Sequence, residues 1–315
     1  MNRKLLLSTL AIALAILACN LQTGTTASPP PSITVTDTPI PPVTTTSTPS
    51  LPTPILSSIG LTVDLLRNGT YYAPVYGHTV TLINGAYSEN TSSGVYTVQM
   101  LDVHAFGDLN GDGVGDAAII LVENDGGTGQ FESVIAVYNS GGSPVQAGLS
   151  QLGDRVQVNS MDISSGVIHL NMLVQGPNDP MCCPTLAEKQ SYWMIAGHLW
   201  LMRVTTTNSG AERSININSP ANWADVTNPF TVTGAVPISP FENTLAYHIY
   251  LPDGTKVNDS SLLVSSSGMG TPGTFSQAFN LSMAGITGYV IIQFVDVSAA
   301  DGSTLAMGSV LVKVH

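Results

Sequence analysis

The run Gly107-Asp108-Leu109-Asn110-Gly111-Asp112-Gly113-Val114-Gly115-Asp116 restricts the surrounding fold more than any other stretch of the chain. Asp108, Asn110 and Asp112 stand at loop positions 1, 3 and 5, where alternating short oxygen side chains turn inward onto one hard cation. Gly113 at position 6 permits the sharp turn, Val114 offers its backbone carbonyl at position 7, and Asp116 brings a carboxylate at position 9. A helix-flanked calcium loop would carry a bidentate Glu at position 12, but that place is held by Ile119 and both flanks read as strands. The run is therefore expected to connect two β-strands. Two readings stay open for it: a bound calcium ion, or a metal-free turn, since Gly, Asn and Asp also populate ordinary turns. Four carboxylate or amide groups in nine residues repel one another or stay idle without a cation, which favours calcium. Its expected role is structural, because a filled coordination shell leaves no position for substrate.

With Phe106 and Gly107 before it and an apolar run after it, the loop resembles the calcium loop of FG-GAP repeats. One copy is present, whereas a propeller repeats its blade roughly four to eight times, so a propeller is not expected. The first domain is placed at residues 59–205. Residues 79–83, the Asn84-Gly85 type I′ hairpin signal and the alternation over 95–101 lead up to the loop. Residues 117–122 and 134–138 suit buried strands, and 155–158, 167–174 and 192–195 continue the pattern, with a short helix over 61–67. The expectation is a mainly antiparallel β domain with little helix. Residues 103–118, together with Gly-Pro-Asn-Asp-Pro-Met-Cys-Cys-Pro at 176–184, resemble a domain of bacterial exported lipoproteins of the LppP/LprE type, which implies a location and no activity.

Residues 1–18 read as a targeting segment: Arg3 and Lys4 form a basic start, residues 5–17 an apolar core too short to span a bilayer, and small residues lead to Cys19. Ile16-Leu17-Ala18-Cys19 resembles a bacterial lipobox, which implies that Cys19 is lipidated and becomes the mature N-terminus. An ordinary secretory peptide cleaved near Ala18 is the other reading. Export would place the loop where calcium is plentiful. Residues 19–58 are dominated by Thr, Pro and Ser, a composition that cannot bury a core, and are expected to form a disordered stalk. Without residues 1–18 the chain keeps seven basic residues against twenty-one acidic ones, a formal charge of −14. No basic stripe is available for nucleic acid or an anionic membrane surface, so membrane attachment rests on the lipid of Cys19.

The strand pattern lapses through Thr-Thr-Thr-Asn-Ser-Gly at 205–210, and residues 206–213 are expected to be a linker. Residues 214–315 then read as a β-sandwich: an edge strand over 215–219, a strand over 229–234, and Leu245, Tyr247, Ile249 and Leu251 alternating inward to the turn at 252–255. Strands over 275–281, 289–297 and 307–314 bring the total to about seven, the number expected of an immunoglobulin-like sandwich. Ile-Asn-Ser-Pro at 217–220, Pro-Phe-Thr-Val-Thr-Gly at 229–234, Phe-Glu-Asn-Thr-Leu at 241–245 and Ser-Ala-Ala-Asp-Gly-Ser at 298–303 resemble the immunoglobulin-like domain found beside GerMN domains in spore-germination and other bacterial surface proteins. A GerMN partner is not evident in the chain.

Cys182 and Cys183 are adjacent, and three readings remain for them: a vicinal disulfide, two unpaired buried thiols, or a metal or intermolecular bridge. The Cys-x-x-Cys spacing of zinc sites is absent. No Gly-x-Ser-x-Gly elbow, His-Glu-x-x-His, Ser-x-x-Lys or phosphate-cradling glycine loop is present, and His104, His169, His198 and His248 lie scattered in strand-like runs. The expectation is a lipid-anchored, non-enzymatic protein exposed on the cell surface that binds a protein or cell-wall glycan. An envelope hydrolase whose active groups converge only in three dimensions is the alternative.

Overall fold

The structure, a computed structural model, describes residues 60–92, 94–281 and 285–315. The targeting segment, Cys19 and the stalk lie outside the described residues.

A single turn of helix opens the described chain. Thr62 caps α1 (Val63–Arg67) by accepting the Leu65 N–H at 3.3 Å, and Leu66 is the residue it buries. The hairpin of β1 (Thr70–Ala73) and β2 (His78–Thr81) follows. Asn84 and Gly85 both have positive φ, as a type I′ turn requires, but only the Ile83–Ala86 bridge forms across them. The turn hands the chain to a second sheet instead of closing a long hairpin.

That second sheet is a five-stranded antiparallel meander of β3 (Ala86–Thr91), β4 (Gly94–Gly107), β5 (Asp116–Asn124), β6 (Phe131–Ser140) and β7 (Ser143–Asp154). β5 and β6 are covered on both faces, which is why residues 117–122 and 134–138 are apolar without a break. Ala117, Ile119 and Leu121 of β5 pack with Ile135 and Val137 of β6 against α1 and the first hairpin, where Leu66, Tyr71 and Val80 lie. Ala118, Ile120, Val134 and Ala136 face the other way, onto Ile168, Leu170, Met172 and Tyr192. Those partners belong to β9 (Val167–Val174) and β10 (Leu186–Ile195), which with β8 (Gln157–Ser164) and β11 (His198–Asn208) are consecutive antiparallel neighbours.

Residues 206–213, expected as a linker, are not one. β11 runs on to Asn208 and turns into β12 (Ala211–Arg213), which pairs back on it. The threonines that break the apolar pattern are themselves strand residues: Thr205 and Thr206 are buried, and the Thr206 hydroxyl donates to the Leu305 carbonyl at 2.7 Å.

The C-terminal part is a two-sheet sandwich. One sheet orders β13 (Asn216–Ser219), β15 (Phe230–Val236), β19 (Gly273–Phe279) and β18 (Ser265–Ser266), with β13 at an edge as its Asn-Ile-Asn-Ser sequence suggests. The other orders β17 (Lys256–Leu263), β16 (Thr244–Tyr250), β20 (Gly288–Val297) and β21 (Thr304–Val314), with the three-residue β14 (Ala224–Val226) parallel to β21. The very short β14 and β18 raise the strand number above the seven that the pattern announces. Leu245, Tyr247 and Ile249 point into the core with Val232, Phe275, Phe279, Phe294 and Val312, and no disulfide is needed to hold it. Each fully buried aromatic or aliphatic side chain contributes about 1.5–3 kcal/mol.

β11 also pairs with β21 through Arg203–Gly308, Val204–Met307 and Thr205–Ala306. The two β regions therefore share one ten-stranded sheet. Gly308 makes the junction possible, because a Cβ there would stand 2.4 Å from the Ile215 carbonyl oxygen.

Candidate functional site

β4 and β5 pair down to Gly107–Asp116, so the candidate calcium loop is the closed end of a hairpin. Gly107 lets that end approach β8: a Cβ on it would lie 2.5 Å from the Ile163 side chain. Gly111 and Gly113 have positive φ, the backbone state that glycine adopts without steric cost.

Within the loop the short polar side chains fold onto backbone N–H groups. Asp108 accepts from Gly111 at 2.6 Å, Gly113 at 2.9 Å and Asn110 at 3.2 Å. The Asp112 N–H donates to the Asn110 amide oxygen, and the Val114 N–H to Asp112. The Asn110 amide nitrogen donates to the second Asp112 oxygen at 2.9 Å. The N–H groups of Gly113, Gly111 and Asn110 hold the Asp108 carboxyl below the usual carboxylate range, against the pull of partial burial.

Asp116 behaves differently. It is fully buried, and its two oxygens accept the N–H groups of Leu109 and Asn139, each at 2.9 Å. Burial holds its carboxyl above the usual range, opposed by those two donors, while the charges of Asp112 and Asp108 add to the rise. Asp116 thus ties the loop to β6 whatever else it does. Among the described residues no three Asp, Glu, His or Cys side chains gather as a metal-holding group, so Asp108, Asp112 and Asp116 lie in one turn without closing on a point. The chemistry of the donors still suits a hard cation: they are all oxygens, with three formal negative charges and no ion pair to any of them among the described residues. Asp116 keeps free lone pairs, since a carboxylate has about four acceptor sites and two are used here.

Cys182 and Cys183 are joined as a vicinal disulfide with their Cα atoms 3.8 Å apart. They sit in the turn-rich segment ahead of β10, and Cys182 lines a pocket of about 460 Å³ with Glu132, Arg155 and Val158. Asp179 organises the same segment by accepting from the Gly176 and Thr185 backbones and the Thr185 hydroxyl.

Several buried carboxylates had no signal in the sequence. Glu123 is fully buried and accepts the Val75 and Tyr76 N–H groups and, at 2.7 Å, the Tyr96 hydroxyl, pinning the β1–β2 turn to the meander. Glu132 accepts the Val156 N–H at 2.9 Å, and burial pushes its carboxyl up to about 7. Glu188, bonded to the Gln190 amide, is pushed up to about 6 by burial. Such side chains follow strand alternation like any core residue, so only an acid in an inward position of an apolar strand could have betrayed them. The histidines do not form a set: the His104 ring contacts the Asp102 carbonyl, His169 contacts the Ser191 hydroxyl at 2.9 Å, and His248 lies on β16.

Residues 214–303 match the Gmad2 family, the immunoglobulin-like domain of bacterial spore germination. The match covers the sandwich up to the start of β21. Neither curated proteins nor solved structures yielded a match to the chain.

Proposed function

We propose that this chain, whose C-terminal region is of the spore-germination immunoglobulin-like type, is a lipid-anchored, non-catalytic protein of the outer cell surface that binds a protein or cell-wall partner. The observation that carries the reading is the shared sheet: β11 joins the sandwich through β21, so the two β regions form a continuous scaffold of the kind that displays surface sites. The basic start, apolar core and Ile-Leu-Ala-Cys ending at Cys19, followed by a Thr/Pro/Ser stretch, support anchoring at a distance from the membrane. Brief protease treatment of intact cells tests exposure. The chain is expected to be cleaved from outside, and Cys19→Ser to move it from the membrane fraction to the medium; retention of Cys19→Ser in the membrane refutes the anchor.

Calcium belongs to the same proposal as a structural ion of the β4–β5 loop. Asp108, Asn110, Asp112, the Val114 carbonyl and the unused lone pairs of Asp116 are the donors, and the ion would neutralise charge that no basic side chain among the described residues offsets. At a calcium concentration of about ten times the dissociation constant, folding gains roughly 1.4 kcal/mol. Scanning calorimetry is expected to show a higher midpoint in calcium than in chelator for the native chain and no difference for Asp112→Ala. An equal midpoint in both buffers for the native chain removes the ion from the proposal.

A further inference from the structure

Three turns meet at one end of the first β region: the candidate calcium loop, the Ser165-Gly166 turn between β8 and β9, and the Ala196-Gly197 turn between β10 and β11. They are close enough that a Cβ on Gly166 would lie 3.8 Å from the Asp108 carbonyl oxygen. Between them opens a pocket of about 340 Å³, walled by Trp193 of β10 and by Trp223, which precedes β14. The pocket therefore draws on both β regions, a common place for ligand sites.

Trp223 is half exposed, and its backbone takes a φ of 67°, a conformation that a bulky residue adopts only under strain. Its N–H donates to the Leu311 carbonyl at 2.6 Å, which fixes the backbone where the indole stands out. The ring centroids of Trp193 and Trp223 are 6.3 Å apart at 34°, and Tyr289 supports Trp223 edge-on at 5.7 Å. A large aromatic left half in water loses the contacts that burial would give it, as Trp223 does here beside the partly buried Trp193, which packs on the cluster of Ile195, Met202, Ile291 and Leu311.

The rest of the lining mixes apolar side chains, Leu109, Met194 and Ala196, with polar groups that carry no charge. The Tyr138 and Ser165 hydroxyls and the Asn110 amide border the space, and no Asp, Glu, Lys, Arg or His side chain lines it. Neither hydroxyl and neither indole N–H is engaged by another described residue. In a chain with a formal charge of −12, a pocket with aromatic walls, neutral hydrogen-bonding groups and no ionic side chain suits a neutral ligand with an apolar face and a hydroxylated rim. A pyranose ring has that form: axial C–H bonds on one face and hydroxyls around the edge.

We propose that the pocket between Trp193 and Trp223 is a binding subsite for a neutral saccharide, with the indoles stacking on the ring and the Tyr138 and Ser165 hydroxyls taking its hydroxyls. This rests on the surface-binding reading above and names the partner's chemistry.

Titration calorimetry of the full chain with chitotetraose and with cellotetraose tests it. Saturable binding of at least one is expected. Trp193→Ala and Trp223→Ala should each weaken it by about tenfold or more. Tyr138→Phe, which removes one oxygen and leaves the packing, should weaken it by about threefold or more. Phe241→Ala, an exposed aromatic outside the pocket, should leave it unchanged. Absence of binding to both saccharides overturns the proposal, as does undiminished binding by both Trp223→Ala and Tyr138→Phe. Binding of a peptide of residues 29–41 but of neither saccharide makes the pocket a groove for extended Pro-rich chain and also overturns it. If the native chain and the tryptophan variants bind purified cell-wall sacculi equally, this subsite assignment falls while the surface-binding reading stands.

Discussion

Single residues decide how closely this chain packs its turns. Gly107 is a clear case, because it lies where the hairpin end meets Ile163 and a methyl group has no room. Gly107→Ala is expected to cost about 1–3 kcal/mol, read as a lower denaturation midpoint with an unchanged denaturant slope. Glu132 and Glu188 give the molecule a pH dependence of definite sign. Each is raised by burial, to about 7 and about 6, so the folded chain holds protons that the unfolded chain has already released. Their contribution is complete below the unfolded carboxylate range and is lost as pH rises through 6 and 7. Stability should therefore fall between pH 5 and pH 8, and Glu132→Gln should flatten that fall by on the order of 2–3 kcal/mol in urea titrations at the two pH values. A slope unchanged by Glu132→Gln would mean that the side chain ionises in the fold without cost. Sequence could not announce these carboxylates, since their effect comes from which strand face they occupy and what covers it.

At the level of strands, legibility follows burial. Residues 117–122 and 134–138 were readable because β5 and β6 are sealed on both faces, and Leu245, Tyr247 and Ile249 because β16 has one inward and one outward face. β7 was not readable: its residues are half-buried or exposed and none is buried, and the polar Ser-Pro-Val-Gln-Ala-Gly-Leu-Ser sequence carries no clear period. β11 was hidden by its threonines, which look like a lapse in sequence and are a buried seam in space. The loop at 108–116 was legible in position and flanks, and the role of Asp116 as a tie to β6 was not, because its partner Asn139 is distant in sequence. Two elements at the seam are joined by charge. Arg213 of β12 pairs at 2.5 Å with Asp296 of β20, and Asp296 is nearly inaccessible. Burial raises the Asp296 carboxyl and Arg213 opposes the rise. Arg213→Ala leaves that carboxylate uncompensated and is expected to cost about 3–5 kcal/mol in urea denaturation, whereas Arg213→Met with Asp296→Leu should recover most of the loss. Equal loss in the single and double variants would show that packing, and not charge, holds the seam.

Across the whole described molecule, continuity of hydrogen bonding predicts cooperativity. Besides the β11–β21 ladder, Gln293 reaches the Leu201 carbonyl at 2.9 Å, Arg203 reaches Asn216 at 3.0 Å and Trp200 reaches the Pro252 carbonyl at 3.3 Å. Calorimetry should give one unfolding transition whose van't Hoff and calorimetric enthalpies agree. Val204→Pro removes a ladder donor in the middle of the seam and should split that transition into two or lower it sharply. Two well-separated transitions in the native chain would count against the seam as a cooperative link.

The family match ends at residue 303, one position before β21 begins, yet β21 is the strand to which β20, β14 and β11 all attach. A fragment trimmed to the matched borders would thus lack its keystone, and one extended to residue 315 but begun at 214 would carry a raw flank where β11 had lain. The matched region is thus sutured into its neighbour instead of strung beside it as a bead, and any transplant must take the suture with it.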